Sequence, residues 1–273
     1  MNFLFWNIHK NANTFSHLIN IIKEEKIDLI ALAEFPEEAN SSLQLVSLLN
    51  QVDNYSYLEP VNEAKEKVKI FFRTSRVNIA NKFDGRQISV KWIKSSGYTI
   101  SVIFCHLGSK INNDEHEQFS MAIDFKKQIE EFENYSNNEY TIVCGDFNMN
   151  PFETGMVDSK AFHAVIDKTI ALRKSRIVNG ENYKYFYNPM WGCLGDNGKG
   201  EYPGTHYFAQ SKSMQYFWNI YDQIIVRPSV IPIFDDKKMK IVTKGQNYNL
   251  LKNNGKIETS ISDHLPILFN LKI

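Results

Sequence analysis

Tyr140-Thr141-Ile142-Val143-Cys144, followed at once by Gly145-Asp146-Phe147-Asn148-Met149-Asn150-Pro151, reads as a short apolar strand that runs out into a carboxylate and an amide. The β-branched and aromatic side chains of the first five residues suit a buried strand. Gly145 permits a tight turn or the close approach of a ligand. Asp146 and Asn148 stand two apart, so on an extended segment they share one side. A carboxylate and an amide so placed can hold and orient a water between them. The plain alternative is an Asx-type turn stopped by Pro151.

The same transition from apolar strand to polar side chain recurs along the chain. It occurs at Trp6-Asn7, at Leu32-Ala33-Glu34, at Phe104-Cys105-His106 and at Ile261-Ser262-Asp263-His264. Polar residues begin most loops, so one such ending carries little. Five in one chain, all of metal- or phosphate-handling type, point to a sheet edge that gathers them, because buried strands deliver their terminal side chains with little slack. Glu34 offers a hard oxygen ligand for a divalent ion, or is a plain loop acid. His264 offers a phosphate contact or a proton relay. Asp222 is an odd acid inside the apolar run Tyr221 to Val226, costly to bury without a partner.

Around these endings the periodicity predicts strands at 2–7, 28–33, 68–72, 77–80, 88–93, 98–105, 221–226 and 265–272. It predicts helices over 15–22, 43–49 and 115–132. Residues 179–213, rich in Gly, Asn and aromatics, read as a long surface loop. Its aromatics either stack on bases, wall an apolar pocket or pack beneath the loop. Mixed short strands with interspersed helices predict an α/β fold, a four-layered α/β sandwich with two central mixed β-sheets flanked by helices. No linker or repeat divides residues 1–273, which read as a single domain.

The chain has 273 residues, formal net charge zero and 43% hydrophobic residues, a composition that fits a folded globular protein. Only six of its 31 basic residues are arginine, so bidentate phosphate clamps are scarce. Neutral charge weighs against a protein that grips long duplex DNA non-specifically. Cys105, Cys144 and Cys193 are odd in number and widely spaced, which argues against a disulfide framework, and Cys105 and Cys144, each ending an apolar run, read as small buried hydrophobes. No apolar run is long enough to span a bilayer. No leader is evident at the N-terminus, so the expectation is a cytoplasmic monomer, and the Lys- and Asn-rich composition hints at a bacterial source.

WNIHK at the start, ALAEF around Glu34, FCHLGS at His106, GDFNMNP at Asp146, YDQIIV at Asp222 and SDHLP at Asp263 and His264 together resemble the endonuclease/exonuclease/phosphatase superfamily, in the family's order and over nearly the whole chain. The resemblance implies a metal-dependent phosphoester hydrolase, foremost a phosphodiesterase or nuclease acting on nucleic acid or nucleotides. The alternative is a phosphatase or phosphodiesterase of small or lipid-headgroup phosphoesters, and a third reading is a non-catalytic module that keeps the fold. It implies Mg²⁺ as cofactor, with Mn²⁺ as substitute, on Glu34 with Asn7 and Asp263 close by. Asp146 would position the attacking water, Asn148 would orient it, and His264 would contact the phosphate with Asp222 fixing its tautomer. His106 would bind phosphate or protonate the leaving oxygen, with Glu66 as its partner acid and Glu59 or Glu63 as substitutes. Three features depart from the nuclease pattern: Phe35-Pro36 follow Glu34 where a basic residue is common, no basic wedge of the kind that enters a DNA groove is evident, and Asn112-Asn113-Asp114-Glu115 are acidic where a DNA-facing surface is positive.

Overall fold

The computed structural model describes residues 1–52, 56–60, 67–84, 89–196, 198, 202–211 and 213–273. Among them the chain forms two large mixed sheets with helices packed outside. Numbered along the chain, the first sheet has the order β16 (Lys240–Ile241), β17 (Ile267–Asn270), β1 (Asn2–Asn7), β2 (Leu29–Ala33), β4 (Val68–Arg73), β3 (Tyr57–Leu58). The second has the order β5 (Asn78–Asp84), β6 (Ser89–Ser95), β7 (Tyr98–His106), β8 (Thr141–Asp146), β15 (Asp222–Val226), β12 (Phe186–Tyr187), β9 (Ala164–Val165). Two hairpins stand apart, β10 (Ser175–Val178) with β11 (Glu181–Lys184), and β13 (His206–Tyr207) with β14 (Trp218–Asn219).

Each sheet holds a parallel pair joined by a helix, and the second also pairs β9 with β12 in parallel. β1 connects through α1 (Thr14–Glu25) to β2, and β7 connects through α3 (Glu115–Ser136) to β8. A crossover of this kind returns the chain to the same end of the sheet, so both strands of a pair finish at one edge. α2 (Ser41–Asn50) follows β2, and the single turns α4 (Thr154–Val157) and α5 (Lys168–Ala171) follow β8. Asp114 caps α3 by accepting from the Glu117 amide while Glu117 reaches back to the Asp114 amide, a capping box that fixes where the helix starts.

Alternation along the strands divides the core in two. Ile100 and Val102 of β7, Ile142 and Cys144 of β8, and Ile224 and Val226 of β15 pack with Phe3, Phe5 and Ala31 of the first sheet. Their neighbours Ile103, Val143 and Ile225 face the other way, onto Phe125, Ile129 and Phe132 of α3. Period-two alternation then continues to the strand ends. His106, Asp146 and Asp222 keep the phase of Phe104, Cys144 and Ile224, and so belong to the inter-sheet side.

Three local expectations change. Residues 179–213 are not a surface loop throughout: Tyr185, Phe186, Tyr187, Asn188, Met190 and Cys193 are buried. β12 pairs with β15 through Tyr187 opposite Val226, a contact across the chain that local composition does not announce. Gly145 forms no turn, because it lies within β8, and a Cβ there would stand 2.0 Å from the Cys105 carbonyl oxygen. The three cysteines are buried and form no disulfide, and burial pushes the Cys105 and Cys144 thiols well up. No described helix is long and apolar enough to cross a membrane.

Candidate active site

Register in the second sheet places three of the sequence-predicted residues in one row. His106 pairs with Asp146 across β7 and β8, and Asp146 pairs with Asp222 across β8 and β15. In the first sheet Asn7 pairs with Ala33, which puts Glu34 just beyond it. The two rows meet between the sheets, where the Asn7 side-chain amide donates to Asp146 Oδ2 at 3.1 Å and to Glu34 Oε1 at 3.2 Å. The Asn7 side-chain oxygen Oδ1 accepts from the His9 backbone N–H at 3.1 Å. Asn7 thus ties the two sheets together with its whole amide.

Asp146 Oδ2 is the hub. Besides Asn7, it has His106 Nε2 at 3.8 Å and His264 Nε2 at 3.9 Å, spacings that leave room for an intervening small group. The other carboxylate oxygen accepts from the Asn148 backbone N–H at 2.8 Å, so the Asx-type turn is present and frames the site. That turn holds Asn148 in the left-handed region, at φ 53°, which asparagine tolerates. The Asn148 side chain donates to the Leu107 carbonyl at 3.1 Å and keeps its own oxygen for another partner. Glu34 also has positive φ, at 46°, an uncommon conformation for glutamate and one that costs on the order of 1 kcal/mol or more.

His264 is fixed from several sides. Its Nδ1 lies 2.7 Å from Asp222 Oδ2, its carbonyl accepts from Trp6 Nε1 at 2.8 Å, and its backbone N–H donates to Ser262 Oγ at 3.1 Å. Ser262 Oγ donates in turn to the Asn7 carbonyl at 2.7 Å. Burial opposes a charge on His264, but Asp222, Asp146 and Asp263 together outweigh it and raise the imidazole to about 10. Burial pushes the Asp222 carboxyl upward as well, opposed by that same imidazolium. The pair therefore keeps a proton well above neutral pH.

Two histidines outside the predicted set also enter. His9 Nδ1 stands 3.7 Å from Glu34 Oε2 and 3.5 Å from Asp263 Oδ1, so His9 lies between these two carboxylates. Asp263 Oδ1 is buried without a hydrogen bond. His206, on β13, forms a backbone bridge with His264 and stacks on Tyr221 at 5.3 Å between ring centroids, 4.6 Å from the His264 ring. Burial, then the neighbouring His264, lower its imidazole to about 4. No strand ending announced His206; beside Tyr207 and Phe208 it read either as facing the site or, more often for such a His, as a satisfied loop residue.

Glu34, His106, Asp146, Asp222 and His264 with Asn7, Asn148 and Asp263 are thus brought together at one end of the sandwich. Glu66, and Glu63 with it, lie outside the described residues. Glu59 is ion-paired with Lys69 at 2.7 Å, and none of its described contacts reaches His106. The backbone carbonyl of His106 accepts from Lys67 Nζ at 3.3 Å.

Comparison with known proteins agrees with this architecture. Humanized D. rerio TDP2, carrying 14 mutations, superposes with a TM-score of 0.57 at 17% identity, covering 98% of this chain and 97% of that one. An endonuclease/exonuclease/phosphatase family protein from Bacteroides thetaiotaomicron gives 0.59 at 14% identity, with 99% and 97% covered. D. rerio TDP2 complexed with a single-strand DNA product gives 0.52 at 16% identity, with 98% and 97% covered. No curated protein matches by sequence. The family model for the endonuclease/exonuclease/phosphatase family matches residues 4–264, from inside β1 to His264 itself. The chain therefore belongs to the endonuclease/exonuclease/phosphatase family, whose members hydrolyse phosphoester bonds.

Proposed function

We propose that this chain is a divalent-metal-dependent phosphodiesterase acting on nucleic acid or nucleotides, with Asp146, Asn148, His106, His264 and Asp222 as its catalytic set. The observation that carries the reading is the convergence of three nitrogens on Asp146 Oδ2: Asn7 Nδ2, His106 Nε2 and His264 Nε2. A carboxylate surrounded by donors at 3.8–3.9 Å is arranged around a small guest, such as a water or a phosphoryl oxygen.

Mg²⁺, or Mn²⁺ in its place, would be held by Glu34 and Asp263 with Asn7 beside them. The donor chemistry fits, since these are hard oxygen ligands, and Asp263 Oδ1 is buried without a hydrogen-bond partner. A bound divalent ion supplies neutralisation of phosphoryl charge and favours a hydroxide-like water. Asp146 Oδ2 accepts a proton of the attacking water, and the free Asn148 oxygen orients it. His264, held cationic by Asp222, places a fixed positive charge where phosphoryl charge builds up, an arrangement that needs no reorganisation during reaction. His106 stands on the other side of Asp146, within reach of a leaving oxygen.

The test is a panel of esters with Mg²⁺ and Mn²⁺: plasmid, single-stranded DNA, RNA, abasic duplex, inositol phosphates and sphingomyelin. Turnover that needs the metal and vanishes in Asp146→Asn supports the reading. Absence of turnover on every ester would mean a binding module that keeps the fold.

A further inference from the structure

His206 is held at the catalytic end with neither ring nitrogen hydrogen-bonded among the described residues. Its Nδ1 is buried without a partner, and its Nε2 stands 4.0 Å from Asp263 Oδ2, too far for a hydrogen bond. Only 15% of the side chain is exposed, so bulk water reaches little of the ring. A buried polar group left unsatisfied in a native fold calls for an explanation, and a ligand that takes it up is one. A loop histidine satisfied by its own surroundings would have at least one nitrogen bonded within the fold.

The ring is nevertheless fixed from three segments. His206 pairs with Asn219 across β13 and β14, and its backbone bridges to His264. Next to it, the Thr205 carbonyl accepts from the Leu265 N–H at 2.7 Å. Thr205 Oγ1 accepts from the backbone N–H groups of Tyr221 at 3.2 Å and Asp222 at 3.1 Å. The imidazole lies against Tyr221 at 5.3 Å and against His264 at 4.6 Å between ring centroids. A polar group held this firmly and left unbonded is preorganised for a guest.

The position of the proton follows from burial. The neutral ring carries one N–H and one lone pair. A proton on Nδ1 would be a buried donor without an acceptor, a rarer and costlier defect than a buried lone pair, so the proton belongs on Nε2. One nitrogen of His206, one nitrogen of His264 and one oxygen of Asp263 lie within 4.8 Å of one another, and all three residues line the groove at the catalytic end. Two donors sharing one oxygen at about 2.8 Å each stand roughly 4–5 Å apart, so one oxygen fits between the two rings.

We propose that His206 is a further catalytic residue, whose Nε2–H donates to a phosphoryl oxygen that His264 also contacts. The proposal rests on the hydrolytic reading of the site and deepens it. A metal ion is the rival guest, because the same three residues offer two nitrogens and an oxygen. An oxyanion is favoured because His264, bonded to Asp222 through Nδ1, is held cationic and presents a donor at Nε2 rather than a lone pair.

Two variants test it. His206→Phe keeps a ring against Tyr221 and His264 and deletes both nitrogens, while His206→Gln returns an amide N–H near the Nε2 position. Calorimetry with Mg²⁺ and inorganic phosphate reads the contact without turnover. His206→Phe is expected to bind phosphate about ten-fold more weakly than wild type, the scale of one charge-assisted hydrogen bond, and His206→Gln to recover most of the difference. On a hydrolysed ester, kcat/KM is expected to fall about a hundred-fold in His206→Phe and to recover in part in His206→Gln. That loss exceeds the loss in phosphate binding because charge on the oxygen grows in the transition state. Mn²⁺ alone is expected to bind all three proteins alike. Equal phosphate affinity in wild type and His206→Phe, or a glutamine variant no better than the phenylalanine one, would overturn the donor. A ten-fold loss of Mn²⁺ affinity in His206→Phe would overturn it in favour of a metal ligand. A wild type that binds phosphate and hydrolyses no ester would overturn the hydrolytic reading, and the phosphate affinities would still decide whether His206 makes the contact.

Discussion

Asp222 lies directly opposite Asp146 in the antiparallel pairing of β15 and β8, and yet the two carboxylates have separate partners. Asp222 receives His264 Nδ1 at 2.7 Å, while Asp146 is reached by the other nitrogen of the same ring, at 3.9 Å. One imidazole therefore stands between two buried acids and bears on both. That geometry predicts different outcomes for the two acids. Asp222→Asn keeps the shape but removes the charge that holds the imidazolium, so kcat is expected to fall roughly 10–100-fold, as with other groups that orient a site residue. Steady-state kinetics with a competent ester check it; an unchanged kcat would separate this pair from catalysis.

Asp146→Asn removes the acceptor at the hub and is expected to cost about a hundred-fold or more in kcat. The amide is isosteric, so thermal unfolding is expected to change little. His264→Ala is expected to lose comparable activity. Retention of wild-type turnover by either variant would sink the proposed assignment.

Arg227 and Glu133 form a buried bidentate pair, Nε to Oε1 and Nη2 to Oε2 both at 2.9 Å, with the guanidinium 3.9 Å from the Phe186 ring centroid. Removing one partner leaves an uncompensated charge under α3. Glu133→Ala is expected to destabilise the fold by about 3–5 kcal/mol, whereas replacing both residues with apolar ones of similar volume is expected to recover most of it. Urea unfolding midpoints of the single and double variants distinguish the two.

Much of the fold and the site was legible because strand ends are local. An apolar run that stops at Glu34, His106 or Asp146 announces itself within six residues, and Asp222 stood out as an acid within an apolar run. What stayed hidden depends on pairing between distant segments. His206 joins the site through pairing with a distant segment, its bridge to His264, 58 positions away as the difference of their numbers, and aromatic neighbours gave it no distinguishing mark. β12 escaped notice for the same reason, since Tyr187 finds its partner at Val226. Gly145 was legible as special, but the cause was the neighbouring Cys105 carbonyl rather than a turn.

Gly145→Ala follows from that correction. An added Cβ would lie 2.0 Å from Cys105 O and 2.7 Å from Cys105 Sγ, and the first of these is backbone that cannot swing aside. The β7–β8 ladder must open at the pair next to His106 and Asp146. Loss of about 1–3 kcal/mol or more is expected, with activity lost at least in proportion. Wild-type stability in this variant would show that the strands part without cost.

His163 gives the fold an acid sensitivity of its own, well away from the hub. It is buried, with Nε2 accepting from Arg176 Nε at 3.0 Å and Nδ1 3.3 Å from the Lys184 carbonyl, so the neutral ring with its proton on Nδ1 satisfies both contacts. Burial, and then the adjacent Arg176, lower the imidazole from 6.5 to about 4. Between those values the unfolded chain binds a proton that the folded one refuses, so this contribution is complete above pH 6.5 and declines as pH falls toward 4. His163→Phe keeps a ring beside Tyr185, whose centroid lies 4.3 Å away, and removes the titration. The variant is expected to be less stable than wild type at pH 7, where the Arg176 contact is lost, with the gap narrowing as pH drops through the window. Denaturation midpoints at pH 7, 5.5 and 4.5 measure it, and parallel curves for the two proteins would mean that His163 takes up its proton equally in both states.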